Sequence, residues 1–142
     1  MKKKISIKDK VNLKRLKIDE YNNFKKFLIK NYYKNHILAK NKNLFDWFYK
    51  SNKFYNFIIA LKNKSIIGVI GYIPLKKFDK KLKKNHYFFS IASVLKSKVP
   101  GIFLKLILKV RSFNTSDFVG VVGINQELLN FHRWIGYKVF LM

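Results

Sequence analysis

Apolar side chains recur along the chain with two spacings, and the alternation between them divides it into elements. Residues 11–18, Val-Asn-Leu-Lys-Arg-Leu-Lys-Ile, predict a first strand. Asp19 follows as a candidate N-cap. Tyr21, Phe24, Phe27, Leu28 and Tyr32 then recur three and four apart, which predicts an amphipathic helix over 19–33. Residues 42–50, with Leu44, Phe45, Trp47, Phe48 and Tyr49, predict a shorter second helix. Phe54 to Leu61 and Ile66 to Pro74 read as strands joined by the polar turn Lys62-Asn63-Lys64-Ser65, a hairpin. The stretch His86 to Leu95 is long and rich in aromatic and branched residues, as suits a central strand. Residues 96–101 break the pattern, and Ile102, Leu104, Leu106, Ile107 and Val110 resume it at helical spacing. Residues 117–124 read as a buried strand. Asn125 caps a helix running through Ile135 that Gly136 ends, and Tyr137 to Met142 opens one more strand.

The expected order is therefore β-α-α-β-β-β-α-β-α-β. It predicts one α/β (α+β) domain over 1–142, whose residues 1–10 form a basic N-terminal tail. Its sheet is mixed, mostly antiparallel and flanked by helices. The closing β-α-β-α-β stretch implies a right-handed crossover and a parallel strand pair.

Composition changes this picture little. Apolar residues make up 49% and aromatic residues 17%, too much for a disordered chain despite its charge. No apolar run reaches the ~18–20 residues that span a bilayer. The basic start Met1-Lys2-Lys3-Lys4 is followed by no apolar segment of the kind a secretion signal needs, so a cytoplasmic protein without membrane contact is expected. There is no cysteine, which excludes disulfides, thiolate metal ligands and a cysteine nucleophile, and no metal site is expected.

The net charge of +24 points first to nucleic acid. The kind of basic residue argues against that partner. Of the 31 basic residues only Arg15, Arg111 and Arg133 are arginine. Nucleic-acid readers favour arginine for its planar, bidentate fork. The lysines are scattered, and the abundance of Lys, Asn, Ile, Phe and Tyr follows A/T-rich codons. A basic nucleic-acid-binding module remains the second alternative to the reading developed below. The densest basic run, Lys76 to Lys84, reads as a solvated loop between strands or as a rim that attracts phosphate.

Two local patterns carry candidate chemistry. In the first, Lys98, Gly101 and Phe103 sit where a strand gives way to a helix. Backbone amides at such a helix start attract a pyrophosphate, and a small residue lets it approach. In the second, Asn125 opens a helix that carries His132 four residues before Gly136-Tyr137. With this element order over residues 11–142, the two patterns resemble the GNAT superfamily of acyl-CoA-dependent N-acyltransferases. The resemblance implies acetyl-CoA, or another acyl-CoA, as cofactor, and transfer of the acyl group to a small-molecule primary amine.

It further implies roles for residues. Ser93, Val94 and Leu95 would offer backbone contacts to the thioester and the pantetheine arm. Lys98, Val99, Gly101, Ile102, Phe103 and Asn125 would hold the cofactor. His132 takes the place of a tyrosine that protonates the departing thiolate, and it reads equally as a partly buried helix residue beside Leu128 and Leu129. Asp46 and His86 are the nearby substitutes for a carboxylate that accepts the amine proton. Asp46 also reads as an exposed helix residue, and Trp47 as core. More faintly, the run from His36 through Leu44-Phe45-Asp46-Trp47 resembles acyltransferase-like proteins of bacterial surface-polysaccharide loci. That likeness makes the acceptor an amino sugar, with His36, Trp47 and His86 as substrate-binding residues.

Three features depart from the family pattern. Phe103 stands where the family has a small residue, Pro100 lacks an N–H, and the strand expected after the one at Tyr137 is missing. Phe103, His132 in place of the tyrosine, the absence of Asp or Glu between Lys80 and Ser116 and the missing strand support an alternative, a non-catalytic or degenerate GNAT-like domain. The apolar end Val139-Phe140-Leu141-Met142 suggests a truncated protein, a partner chain or homodimer that completes the sheet, or a relative that ends early. Truncation is the favoured expectation, and with it self-association of the isolated chain.

Overall fold

In a computed structural model the structure describes residues 10–96, 100–113, 116, 118–121 and 125–139. The elements are β1 (Asn12–Lys17), α1 (Tyr21–Asn31), α2 (Ile37–Lys40), α3 (Lys42–Tyr49), β2 (Lys50–Ser51), β3 (Phe54–Lys62), β4 (Ser65–Pro74), β5 (Tyr87–Val94), α4 (Ile102–Phe113), β6 (Val119–Val121) and α5 (Gln126–Trp134). The sheet runs β1-β3-β4-β5-β6, with β2 also paired to β3. Its pairs are antiparallel except β5–β6, which is the expected parallel pair.

Local chemistry explains the main boundaries. Asn63 and Lys64 both adopt positive φ, 49° and 66°, the backbone that a tight hairpin turn between twisted strands requires. The Asn41 carboxamide accepts the Leu44 amide at 3.0 Å and starts α3. Asn125 does the same for α5, accepting the Leu128 amide at 2.8 Å. Gly136, at φ 97°, ends that helix in the conformation glycine takes most easily.

Some expectations move. Asp19 lies in a 3-10 turn over Ile18–Glu20, and α1 starts only at Tyr21. The Glu20 carboxylate accepts the Lys17 amide at 3.0 Å, so the acidic cap is Glu20. His36 starts the extra one-turn helix α2. Residues 137–139 form no strand, and 140–142 lie outside the described residues. Of the strand expected over 117–124, Val119–Val121 is described as strand.

Each face of the sheet carries its own core. On one side α1, α2 and α3 bury Phe24, Leu28, Phe45 and Tyr49 against Leu16, Tyr55, Phe57, Ile59, Val69 and Ile91. On the other, α4 buries Ile102, Leu106, Ile107 and Val110 against Ile58, Ala60, Ile67, Ile70, Tyr72, Tyr87 and Phe89. Side chains alternate between the faces along β3, as a pleated strand requires. Along β5 they do not: Tyr87 and Phe89 face α4, whereas Ile91 joins the α1 side.

Candidate active site

The break in alternation is a β-bulge. Ile70 of β4 faces Ala92 of β5, and Tyr72 faces Phe89, so Ser90 and Ile91 together oppose Gly71. The bulge leans on that glycine. A Cβ at Gly71 would lie 2.4 Å from Ser90 Oγ and 2.5 Å from the Phe57 ring. On the other side of β5, the described pairing with β6 covers Tyr87, Phe88 and Phe89 only. Among the described residues, the β6 partner of β5 ends at Phe89, and the bulge that follows leaves its extra residue outside the β4 ladder.

The strand runs on toward the start of α4. Gly101 has φ 74°, and beyond its chain neighbours no atom of the described residues lies within 4 Å of where its Cβ would stand. The first helical bond runs from the Lys105 amide to the Gly101 carbonyl at 3.0 Å. The amides of Ile102, Phe103 and Leu104 thus belong to the first turn, which has no helical acceptor and favours an anion. No acidic side chain lies in that turn. The Phe103 ring packs on Phe131 of α5 with centroids 5.3 Å apart, so it fills the seam between the two helices and leaves the space at Gly101 open. Lys98 and Val99 lie outside the described residues.

His132 sits on α5 over the same stretch of β5. Its ring is buried and stacks on Phe89, the residue before the bulge, with centroids 6.1 Å apart. Phe131 and Tyr137 flank it. Burial lowers its pKa below the ordinary histidine value, which keeps the ring neutral near pH 7. A neutral imidazole still carries one N–H donor. Asn125 caps the helix that bears His132.

The other expected residues lie elsewhere. Ser93 and Val94 pair with Val69 and Gly68 of β4, and the Leu95 amide is taken by the Ile67 carbonyl at 2.9 Å. The Leu95 amide thus faces β4, and the alternation of N–H directions along the strand turns the Val94 amide toward the opposite edge. Asp46 is half-buried. It accepts from Lys42 Nζ and from Tyr55 Oη, both at 2.6 Å. Burial works to raise its pKa, but those two hydrogen bonds and the charges of Lys42 and Lys50 outweigh it and hold the carboxyl below its ordinary value. Both oxygens are engaged, an arrangement suited to pinning α3 on β3.

Trp47 is 57% exposed and touches Phe48 and Phe78, so it is not core. The buried stripe of α3 runs through Phe45 and Tyr49 and leaves Trp47 outside. His36 Nδ1 accepts the Leu38 amide at 3.2 Å and so acts as a helix cap. His86 Nδ1 lies 3.2 Å from Ser116 Oγ at the N-terminal end of β5. Asp46, Trp47 and His86 cluster toward that end of the sheet, and Gly101 and Phe103 lie at the other. Among the described residues no helix is long and apolar enough to cross a membrane.

No family model matches the chain, and no curated protein matches it. Solved structures do. An aminoglycoside acetyltransferase, HMB0005, from an uncultured soil metagenomic sample superposes with a TM-score of 0.69 at 16% identity, covering 94% of this chain and 95% of that one. Aminoglycoside N-acetyltransferase AAC(6')-Iy in complex with CoA gives 0.67 at 12% identity, covering 94% and 91%. Arabidopsis thaliana Naa50, bound to a bisubstrate analogue that joins CoA to an acetylated peptide, gives 0.66 at 14%, covering 92% and 84%. With its bulged β5, parallel β5–β6 pair and helix start at Gly101, the chain has the fold of the GNAT acyl-CoA N-acyltransferases.

Proposed function

We propose that the chain transfers an acyl group, in the simplest case acetyl, from acyl-CoA to a primary amine. The bulge at Ser90–Ile91 carries this reading, because it frees backbone on the strand that leads to the α4 start and lies beside His132. The residues present suit the cofactor. The first-turn amides of Ile102, Phe103 and Leu104 would receive the pyrophosphate, with the open space at Gly101 for its approach and Lys98 as a nearby cation in sequence. Amides of β5 beyond Phe89 would polarise the thioester carbonyl and stabilise the negative charge that its oxygen gains as the amine attacks. The amine nitrogen forms the new C–N bond. The C–S bond breaks, its electron pair leaves on sulfur, and the proton lost by the amine balances the thiolate as a free thiol. His132 would donate its N–H toward that sulfur. Relatives bound to CoA support the cofactor class.

The direct test is steady-state thiol release from acetyl-CoA with amine acceptors. His132→Phe keeps the ring stack on Phe89 and removes the donor. The expected result is a fall in kcat of about 10²-fold with coenzyme A affinity within twofold of the parent. Unchanged kcat would remove His132 from the chemistry. A folded sample that neither binds coenzyme A nor turns over a thioester would leave only the second reading, a non-catalytic GNAT-like domain. The engagement of Asp46 by Lys42 and Tyr55 favours that second reading, because it removes one candidate base.

A further inference from the structure

On the α1 face a groove of about 950 Å³ opens between α1 and the β3–β4 hairpin. That is within the ~300–1,000 Å³ typical of small-molecule sites. Five lysines line it: Lys14, Lys26, Lys30, Lys62 and Lys64. Its one carboxylate, Glu20, is held by Lys14 Nζ and by the Lys17 amide. Among the described residues, Lys26, Lys30 and Lys64 take part in no ion pair. The floor is apolar, with Phe27, Ile59 and Leu95.

Cations gathered around one cleft repel one another, and an anion among them relieves that repulsion while gaining attraction of its own. A polycation meets the reverse, since the groove holds no unpaired carboxylate to receive it. Position adds a second constraint. Asn31 and Leu95 both line the groove, and the Asn31 carbonyl lies 3.4 Å from Ser93 Oγ. The groove thus reaches the C-terminal end of β5, past its bulge, from the face opposite α4.

We infer that this groove takes the acceptor, and that the acceptor is a small amine whose own molecule carries phosphate. The phosphate sits among Lys26, Lys30 and Lys64, and the amine points inward to the β5 edge. The inference rests on the acyl-transfer reading above and narrows it. The aminoglycosides named for two of the similar structures are polycations, the class this groove repels.

Calorimetry on the full chain in 150 mM salt separates the possibilities, because screening there limits the charge effects to ~8 Å. The probes are glucosamine 6-phosphate, glucosamine, pyrophosphate and coenzyme A, each against the parent and a Lys30→Gln/Lys64→Gln variant. Both positions are exposed, and circular dichroism checks that the fold is kept. The parent is expected to bind glucosamine 6-phosphate about tenfold or more tightly than glucosamine. The variant is expected to lose most of that preference and to keep its coenzyme A affinity. Equal binding of the two sugars, or no difference between the proteins for either phosphate probe, overturns the proposal. So does a variant that loses coenzyme A while sparing the phosphosugar, since the lysines would then serve the cofactor. Failure of the parent to bind coenzyme A is read in its own titration, and it removes the acyl-transfer reading together with the acceptor assigned on it.

Discussion

On the α1–α3 side of the sheet, rings close the core. Phe24 and Phe57, Phe45 and Tyr55, and Tyr49 and Phe57 meet edge-on with centroids 4.6–4.7 Å apart. On the α4 side the helix itself contributes branched aliphatic residues, laid on sheet positions that include Tyr72, Tyr87 and Phe89, and it comes so near that a Cβ at Gly68 would stand 3.0 Å from Ile102 and 3.2 Å from Leu106. The difference lies in what each face must hold. Large rings fill the irregular volume under three short helices. Aliphatic packing over a glycine sets one long helix at a fixed height, and that height positions the first turn of α4 relative to the bulge. The α4 face is therefore the one whose packing sets the geometry of the candidate site.

The comparison breaks most readily at the rings. Phe45 is fully buried and contacts five aromatic neighbours, so Phe45→Ala is expected to cost about 3–5 kcal/mol, read by urea unfolding. A loss below about 1 kcal/mol would mean that the aromatic cluster repacks and is not the main source of stability. Gly68→Val tests the other face. Overpacking there is expected to cost about 1–3 kcal/mol. It is also expected to weaken coenzyme A binding, because it pushes α4 off the sheet, whereas Phe45→Ala in a still-folded sample is not. Equal effects of the two on cofactor affinity would erase the proposed division of labour.

The smallest effect is a pH dependence. Burial depresses the pKa of His132, so the unfolded chain takes up a proton that the folded one resists. The stability from the neutral ring is complete above the ordinary histidine value of ~6.5. It declines as pH falls from there through the folded pKa. His132→Phe should flatten part of the fall between about pH 7 and 5, and His36, depressed by burial in the same direction, contributes another part. An unchanged slope in the variant would show that His132 is accessible to protons in the folded chain.

Much of this architecture is readable before any coordinates. The hairpin at Asn63-Lys64, the cap at Asn125 and the stop at Gly136 leave local marks, since each depends on side chains within four residues. So does His132, fixed by its spacing from Gly136. The bulge leaves none. Residues 86–95 are apolar on both faces, and a one-residue slip in a strand buried on both sides changes nothing in the hydrophobic pattern. The residues expected to offer backbone contacts, Ser93 to Leu95, lie just past the bulge in sequence. Trp47 misleads for a related reason: α3 is aromatic on most sides, so periodicity does not single out the side that faces water. The lysine groove is invisible in one dimension, because Lys14, Lys30 and Lys64 are brought together only by β1, α1 and the hairpin.

Lys64 carries one more consequence. It occupies left-handed backbone at φ 66°, where a residue with a Cβ is strained by roughly 1 kcal/mol relative to glycine. Glycine at that corner would relax the loop and discharge the rim in a single step. Folding robustness and attraction of an anion thus pull this position in opposite directions, and stabilising substitutions elsewhere in the molecule offer a route around that conflict.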